Sequence, residues 1–224
     1  MIDNNKCWLK ANCNQRDCND FCMKHYKLNY LYEQALIPLS QRYHIDLRVD
    51  KDGSDNEVFQ ILKDIELKIL DFVEAGNWLW IHSSIAGNGK SSWALRMIEA
   101  YFNKIWFKSE LKCRALFINV PRFLLALKAN LSEKNDYITH IQENIVEADI
   151  VVWDDIATKS STVFEAENLL SMIDLRMGKT NIFTSNLNGE EMHKTLGDRL
   201  YSRICNYSYD IELKGADKRS LRKE

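Results

Sequence analysis

Residues 78–92 constrain this chain more than any other stretch. Four apolar residues, Trp78, Leu79, Trp80 and Ile81, run into a short loop that carries Gly87 and Gly89. A helical pattern then begins at Lys90. Strand, glycine loop and helix in this order are what a phosphate-binding loop requires. The glycines let backbone N–H groups close around a polyphosphate, Lys90 can reach its β- and γ-phosphates, and the Ser91 hydroxyl can ligate Mg²⁺. The loop candidates are therefore Ser84, Ile85, Ala86, Gly87, Asn88, Gly89, Lys90, Ser91 and Ser92. Ser84 stands where the pattern G-x-x-x-x-G-K-[ST] has its first glycine. A glycine turn ahead of an unrelated helix would share part of this pattern.

A second element separates the two readings. Ile150, Val151, Val152 and Trp153 are followed by Asp154 and Asp155. Four apolar residues ending in two carboxylates suit a buried parallel strand that presents its acids at the C-terminal edge. That edge is where open α/β sheets bind their ligands. Asp154 would hold Mg²⁺ through water, and Asp155 would orient or deprotonate an attacking water. Alone, such a strand end is commonplace; together with the glycine loop it points to a nucleoside triphosphate.

From residue 78 onward strands and helices alternate. Strands are expected over 78–81, 115–120, 150–153, 181–185 and 207–213, and helices over 90–107, 121–131, 137–148, 164–177 and 198–205. This alternation implies a parallel five-stranded sheet with helices on both faces. Upstream, Val58, Ile61, Leu62, Ile65, Ile69 and Phe72 form one stripe of a single amphipathic helix over 58–73. Residues 50–56 make a polar surface loop, and Pro38 interrupts helical periodicity over 27–43.

The chain has 224 residues and a net charge of −2, enough for one α/β domain and a small appendage. The charge argues against bulk attraction to nucleic acid, though a local basic face is compatible with it. No apolar run approaches the roughly 20 residues that span a bilayer, and the first residues lack a signal-peptide layout. A cytoplasmic location follows as the expectation, with cysteines reduced. Four of the six cysteines, Cys7, Cys13, Cys18 and Cys22, lie close together near the start, with His25 just beyond. A helix beginning near Cys18 would set Cys18 and Cys22 one turn apart, and Cys7 and Cys13 would complete a tetrahedral Zn²⁺ site from the preceding loop. Reduced packing cysteines are the plainer alternative, and Cys113 and Cys205 suit that role. The division expected is a zinc-binding module over 1–34 and an ATPase domain over 35–224.

Beyond the loop, Asn186 ends an apolar strand and could hold the attacking water or sense the γ-phosphate, although Thr184, Ser185 and Asn186 would equally form a turn. Arg199 and Arg203 lie one helical turn apart. They face solvent or acidic neighbours, or one of them completes a neighbouring subunit's ATP site. Arg219, in a basic tail, is a further candidate cation.

These motifs resemble the AAA+ ATPases of the replicative helicase-loader type, the DnaC/DnaI group, over about residues 35–219. The matching residues are Ile37 to Tyr43, Gly87 to Ser91, Asp154 and Asp155, Ile173 to Arg176 running into Thr184 to Asn186, and Leu196 to Ile204. The resemblance implies an ATP- and Mg²⁺-dependent protein that binds a hexameric replicative helicase and helps place it on single-stranded DNA. It implies that Asn186 is a γ-phosphate sensor, Arg203 an arginine finger acting between self-associated subunits, and Arg219 a second sensor. Arg176 and Arg199 would support the subunit interface. The segment 120–128, with Arg122, Phe123 and Lys128, falls where loaders line a DNA path. Arg122 and Lys128 would meet phosphates and Phe123 would stack on a base, or Phe123, Leu124 and Leu127 simply pack the core. A zinc-binding N-terminus that contacts the helicase and the lack of a C-terminal helical lid also fit the group, as does a phage origin. Asp155 departs from the glutamate many relatives carry. Two other functions share these features: an ATPase helper of a transposase, and a nucleotide-binding adaptor without turnover, to which Ser84 lends some support.

Overall fold

The computed structural model describes residues 7–9, 13, 21–42, 47, 53–130, 133–157 and 162–218. Five strands form one fully parallel sheet: β1 (Trp78–His82), β2 (Ala115–Asn119), β3 (Ile150–Asp154), β4 (Thr180–Ser185) and β5 (Ser208–Glu212), in the order β2-β3-β4-β1-β5. After β1 the chain passes over two strands to reach the far edge at β2. This crossover opens a crevice at the C-terminal ends of β1, β4 and β3, where ligands sit in doubly wound sheets.

Alternation along the strands sorts the core into two layers. Leu79, Ile81, Val152 and Ile182 face one side and pack with α1 (Met23–Gln34), α2 (Asn56–Leu67), α3 (Ile69–Glu74) and α4 (Lys90–Ile105). Trp78, Trp80, Val151, Trp153 and Phe183 face the other side. There they meet α5 (Val120–Ala129), α6 (Asp136–Asn144), α7 (Val163–Asp174), α8 (Gly189–Leu196) and α9 (Asp198–Tyr207). Because β1 and β3 are buried on both faces, their sequences read as near-continuous apolar runs, whereas β4 is equally buried but carries apolar residues only at Ile182 and Phe183.

Three expectations need correction. The single helix over 58–73 is two helices broken at Lys68 (φ −99°, ψ 28°). Of the expected stripe, Leu62, Ile69 and Phe72 are buried while Ile61 is 42% exposed, so the stripe is not one continuous buried face. Helix α8 was not expected; Gly189 weakens its helical signal, and only Met192 and Leu196 are buried. Its start is fixed by a capping box between Asn188 and Glu191. The N-terminal helix begins at Met23, not near Cys18, and Cys22 is its N-cap, its sulfur accepting from the His25 N–H at 3.4 Å.

The zinc site is not supported. Among the described residues no group of three or more His, Cys, Asp or Glu side chains is gathered to hold a metal ion. Cys7, Cys13 and Cys22 are part-buried single thiols, and Cys18 lies outside the described residues. His25 packs beside Trp8 instead, with ring centroids 5.7 Å apart. Leu9, Leu28, Leu31 and Tyr32 are buried in the same core layer as β1, and the Phe117 N–H donates to the Ala35 carbonyl at 2.9 Å, tying the end of α1 to β2. Apolar packing thus anchors this segment to the sheet.

Candidate nucleotide-binding site

The loop after β1 turns on two glycines in the left-handed region, Gly87 (φ 78°) and Gly89 (φ 111°). Ser84 is not among the residues with positive φ, so nothing in the backbone there demands glycine. Gly89 is the N-cap of the sixteen-residue helix α4, whose first turn points its free N–H groups and positive dipole end into the crevice. Lys90 is buried, and its Nζ donates to the carbonyls of Ile85 (2.9 Å) and Ser83 (3.4 Å) and to Asn88 Oδ1 (3.2 Å). These acceptors belong to its own loop, so the ammonium can exchange them for phosphate oxygens without breaking the sheet. Asn88 fixes the loop from within: its Nδ2 donates to Ser83 Oγ (2.7 Å) and to the Leu213 carbonyl (3.2 Å).

β4 lies beside β1 in register, with His82 opposite Ser185, and β3 follows on its other side. The crevice therefore gathers Asp154, Asp155 and Asn186 beside the loop. Asp154 is only 6% exposed; its Oδ1 accepts from Thr184 Oγ1 at 2.8 Å and its Oδ2 from Asn119 Nδ2 at 3.5 Å. Asp155 adopts φ 57°, a left-handed turn that aspartate tolerates better than most residues. Its N–H donates to Thr184 Oγ1 (2.9 Å), and its Oδ1 accepts from Asn186 Nδ2 (3.4 Å). A buried, immobilised carboxylate at the C-terminal edge of the sheet is a donor suited to Mg²⁺, an oxygen-seeking cation that retains waters. Asp154 and Ser91 would hold it, and the ion would neutralise phosphate charge.

Thr184, Asn119 and Ser83 belong to this site by geometry, though sequence reasoning gave them no role of their own. Thr184 is the hub: its hydroxyl and carbonyl bind Asp154, Asp155 and Ile156 together. The polar ends of neighbouring apolar strands are the signal that could have found Thr184 and Asn119.

The candidate arginines divide. Arg203 Nε lies 2.6 Å from Asp174 Oδ1 in an ion pair, with its guanidinium 5.5 Å from the Tyr207 ring centre, so it is held by an acidic neighbour of its own chain. Arg199 is exposed on the same helix. Arg219 lies outside the described residues, although the N–H of Lys218, just before it, donates to the Gly87 carbonyl at 3.1 Å. Arg176 presents no surface of its own to a neighbouring subunit. It is fully buried and donates to the carbonyls of Ile145, Ala148, Asp149 and Thr180 and to Asn181 Oδ1, at the opposite edge of the sheet. Burial brings its guanidinium down to about 10.

The helix α5 is also corrected. Phe123 is fully buried and cannot stack on a base. Lys128 Nζ pairs with Glu165 Oε1 at 3.0 Å, and Arg122 lies over the Tyr137 ring, 4.7 Å from its centre. The Thr162 N–H, then Lys128, holds the Glu165 carboxyl at about 2.

A parallel sheet in this order, with a glycine loop after β1 and acids after β3, is the arrangement of a P-loop fold. The chain is similar to the crystal structure of the DnaC helicase loader, with TM-score 0.64 and 19% identity over 79% of this chain and 100% of that one. It is also similar to a putative primosome component from Streptococcus pyogenes serotype M3, with TM-score 0.60 and 22% identity over 85% of this chain and 98% of that one. A third likeness is to the replication initiator DnaA bound to AMPPCP and single-stranded DNA, with TM-score 0.58 and 15% identity over 81% of this chain and 55% of that one. No protein-family model matches the chain, and no curated protein matches it by sequence. At these identities the likenesses establish the fold, which is the one the DnaC loader has. Among the described residues no helix is long and apolar enough to cross a membrane.

Proposed function

We propose that this chain is an ATP-dependent loader that binds a hexameric replicative helicase and helps place it on single-stranded DNA in the cytoplasm. The observation that carries the reading is the meeting of Lys90, Asp154, Asp155 and Asn186 at one sheet edge, in a fold that spans the whole DnaC loader structure. ATP lies along the N-terminus of α4, and Lys90 leaves its loop carbonyls for the β- and γ-phosphates. Ser91 and Asp154 hold Mg²⁺. Asp155 orients the attacking water, and Asn186, hydrogen-bonded to Asp155, senses the γ-phosphate. Arg203 leaves Asp174 to stabilise transition-state charge on the ATP of a neighbouring protomer, and Arg219 contributes from the tail.

The division at residue 35 is functional in this reading: residues 1–34 meet the helicase, and the remainder binds nucleotide. Phe21, Met23 and Tyr26 at the start of α1 are 91%, 58% and 59% exposed, an apolar surface suited to such a contact. The test is capture of a purified hexameric replicative helicase with and without Mg–ATP, followed by assay of helicase loaded on circular single-stranded DNA. Nucleotide-dependent capture and loading are expected. A chain that binds ATP yet captures no helicase and stimulates no loading would not be a loader.

A further inference from the structure

Asp55 is the N-cap of α2, a position where an aspartate ordinarily accepts from the free N–H groups of its own helix. Here its side chain caps nothing locally. The carboxylate is only 3% exposed, and its oxygens accept from the Lys214 N–H (2.7 Å) and the Gly215 N–H (2.9 Å), at sequence separations of 159 and 160 residues. A buried anion given up to two distant amides fixes that distant segment in place.

The segment so fixed reaches the phosphate loop at both ends. Leu213 continues β5, donating to the His82 carbonyl at 2.9 Å, and its own carbonyl accepts from Asn88 Nδ2. Lys218 donates to the Gly87 carbonyl. Asn88 in turn presents its Oδ1 to Lys90. The other side of the clasp is equally rigid. Helix α2 is tied to α4, the helix that leaves the loop, by Arg96 with Glu66 at 2.8 Å and by the edge-on contact of Phe59 with Trp93 at 5.2 Å.

We propose that Asp55 is a positioning residue of the nucleotide site: by clamping Lys214 and Gly215 it holds residues 213–218 against Gly87 and Asn88 and so sets the loop's grip on ATP. The inference rests on the reading of the loop as an ATP site. It places the control of loop geometry in a residue that touches no phosphate. Asp55→Ala frees the tail and leaves the loop to sample open forms, and affinity falls by the fraction of time the loop is misplaced.

The experiment measures Mg–ATP affinity by calorimetry on the full chain for wild type, Lys90→Ala, Asp55→Ala, Asp55→Asn, Asn88→Ala and the Asp55→Ala/Asn88→Ala double variant. Asp55→Ala should lose about tenfold, the size expected for losing charge-assisted hydrogen bonds that hold a binding segment. Asp55→Asn keeps one acceptor and should fall between wild type and Asp55→Ala. The double variant should lose less than the product of the single losses, because both residues act through the same tail. Amide exchange on the wild type serves if a variant fails to fold: the Lys214, Gly215 and Lys218 amides should gain protection together when Mg–ATP is added. Wild-type affinity in Asp55→Ala while Lys90→Ala loses binding would overturn the proposal and leave the ATP site standing. So would strictly multiplicative losses, or exchange at Lys214 and Gly215 indifferent to nucleotide. Failure of the wild type to bind Mg–ATP at all would remove the ATP site and the proposal with it.

Discussion

The sheet holds a buried cation at each end, and the two are satisfied in different ways. At the N-terminal end, Arg176 donates to backbone carbonyls of two separate segments, 145–149 and Thr180, and to Asn181, with 0% exposure. At the C-terminal end, Lys90 donates to two carbonyls and one amide of the loop that carries it. Acceptors drawn from distant segments make a cation structural; acceptors on its own loop leave it exchangeable. Arginine suits the first role because its planar fork satisfies several carbonyls at once, and lysine suits the second as a point charge for phosphate.

The comparison breaks first at Arg176. Arg176→Ala leaves buried carbonyls without donors and should cost about 3–5 kcal/mol, a large share of a domain's stability. Chemical denaturation should show that loss, whereas Lys90→Ala should stay within about 1 kcal/mol of wild type. Equal stability of the two variants would erase the distinction between the ends of the sheet.

A smaller effect sharpens the account at the subunit edge. On the proposal that Arg203 acts on a neighbour's nucleotide, Arg203→Ala should abolish ATP turnover without weakening ATP binding. Mixing Arg203→Ala protomers, which keep an intact pocket, with Lys90→Ala protomers, which keep an intact finger, should restore part of the turnover. Asp174→Ala frees Arg203 from its ion pair and should lower the protein concentration needed for full activity. Full turnover by Arg203→Ala protomers alone would refute the role.

The smallest effect concerns pH. The Glu165 carboxyl is held at about 2, below its ordinary 4.5, by the Thr162 N–H and Lys128. A lowered value means that its contribution to stability is complete above pH 4.5 and is lost as pH falls toward 2. Glu165→Gln should therefore flatten the acid limb of the stability profile across that window and leave the neutral region's slope unchanged. An unchanged acid limb would show that the α5–α7 clasp is not what titrates.

Much of the sheet's C-terminal edge is legible in sequence because its signals are local. Trp78 to Lys90 is one strand–loop–helix unit, and Ile150 to Asp155 is one strand with its acids, each readable without knowing its neighbours. What stayed hidden depends on partners far along the chain. Asp55 reads as a loop residue until Lys214 and Gly215 are brought to it. The resemblance sets Arg176 near a subunit interface, and nothing local in the sequence reveals the carbonyls before β3 that close around it. For Arg203 the sequence admits an acidic neighbour or a trans role, and the Asp174 ion pair gives its resting place but not its function. The clustered cysteines looked like ligands because proximity in sequence suggests proximity in space; Cys22 caps a helix instead. Phe123, beside Arg122, invited a stacking role that complete burial removes.

The central claim is that Lys90 exchanges its loop acceptors for the phosphates of ATP. Titration of Mg–ATP into wild type, Lys90→Ala and Asp155→Asn tests it most directly, with folding of each variant verified by circular dichroism. Wild type and Asp155→Asn should bind alike, and Lys90→Ala should bind about a hundredfold more weakly, the loss expected for one or two charge-assisted hydrogen bonds to phosphate. Equal affinity in wild type and Lys90→Ala would contradict the account.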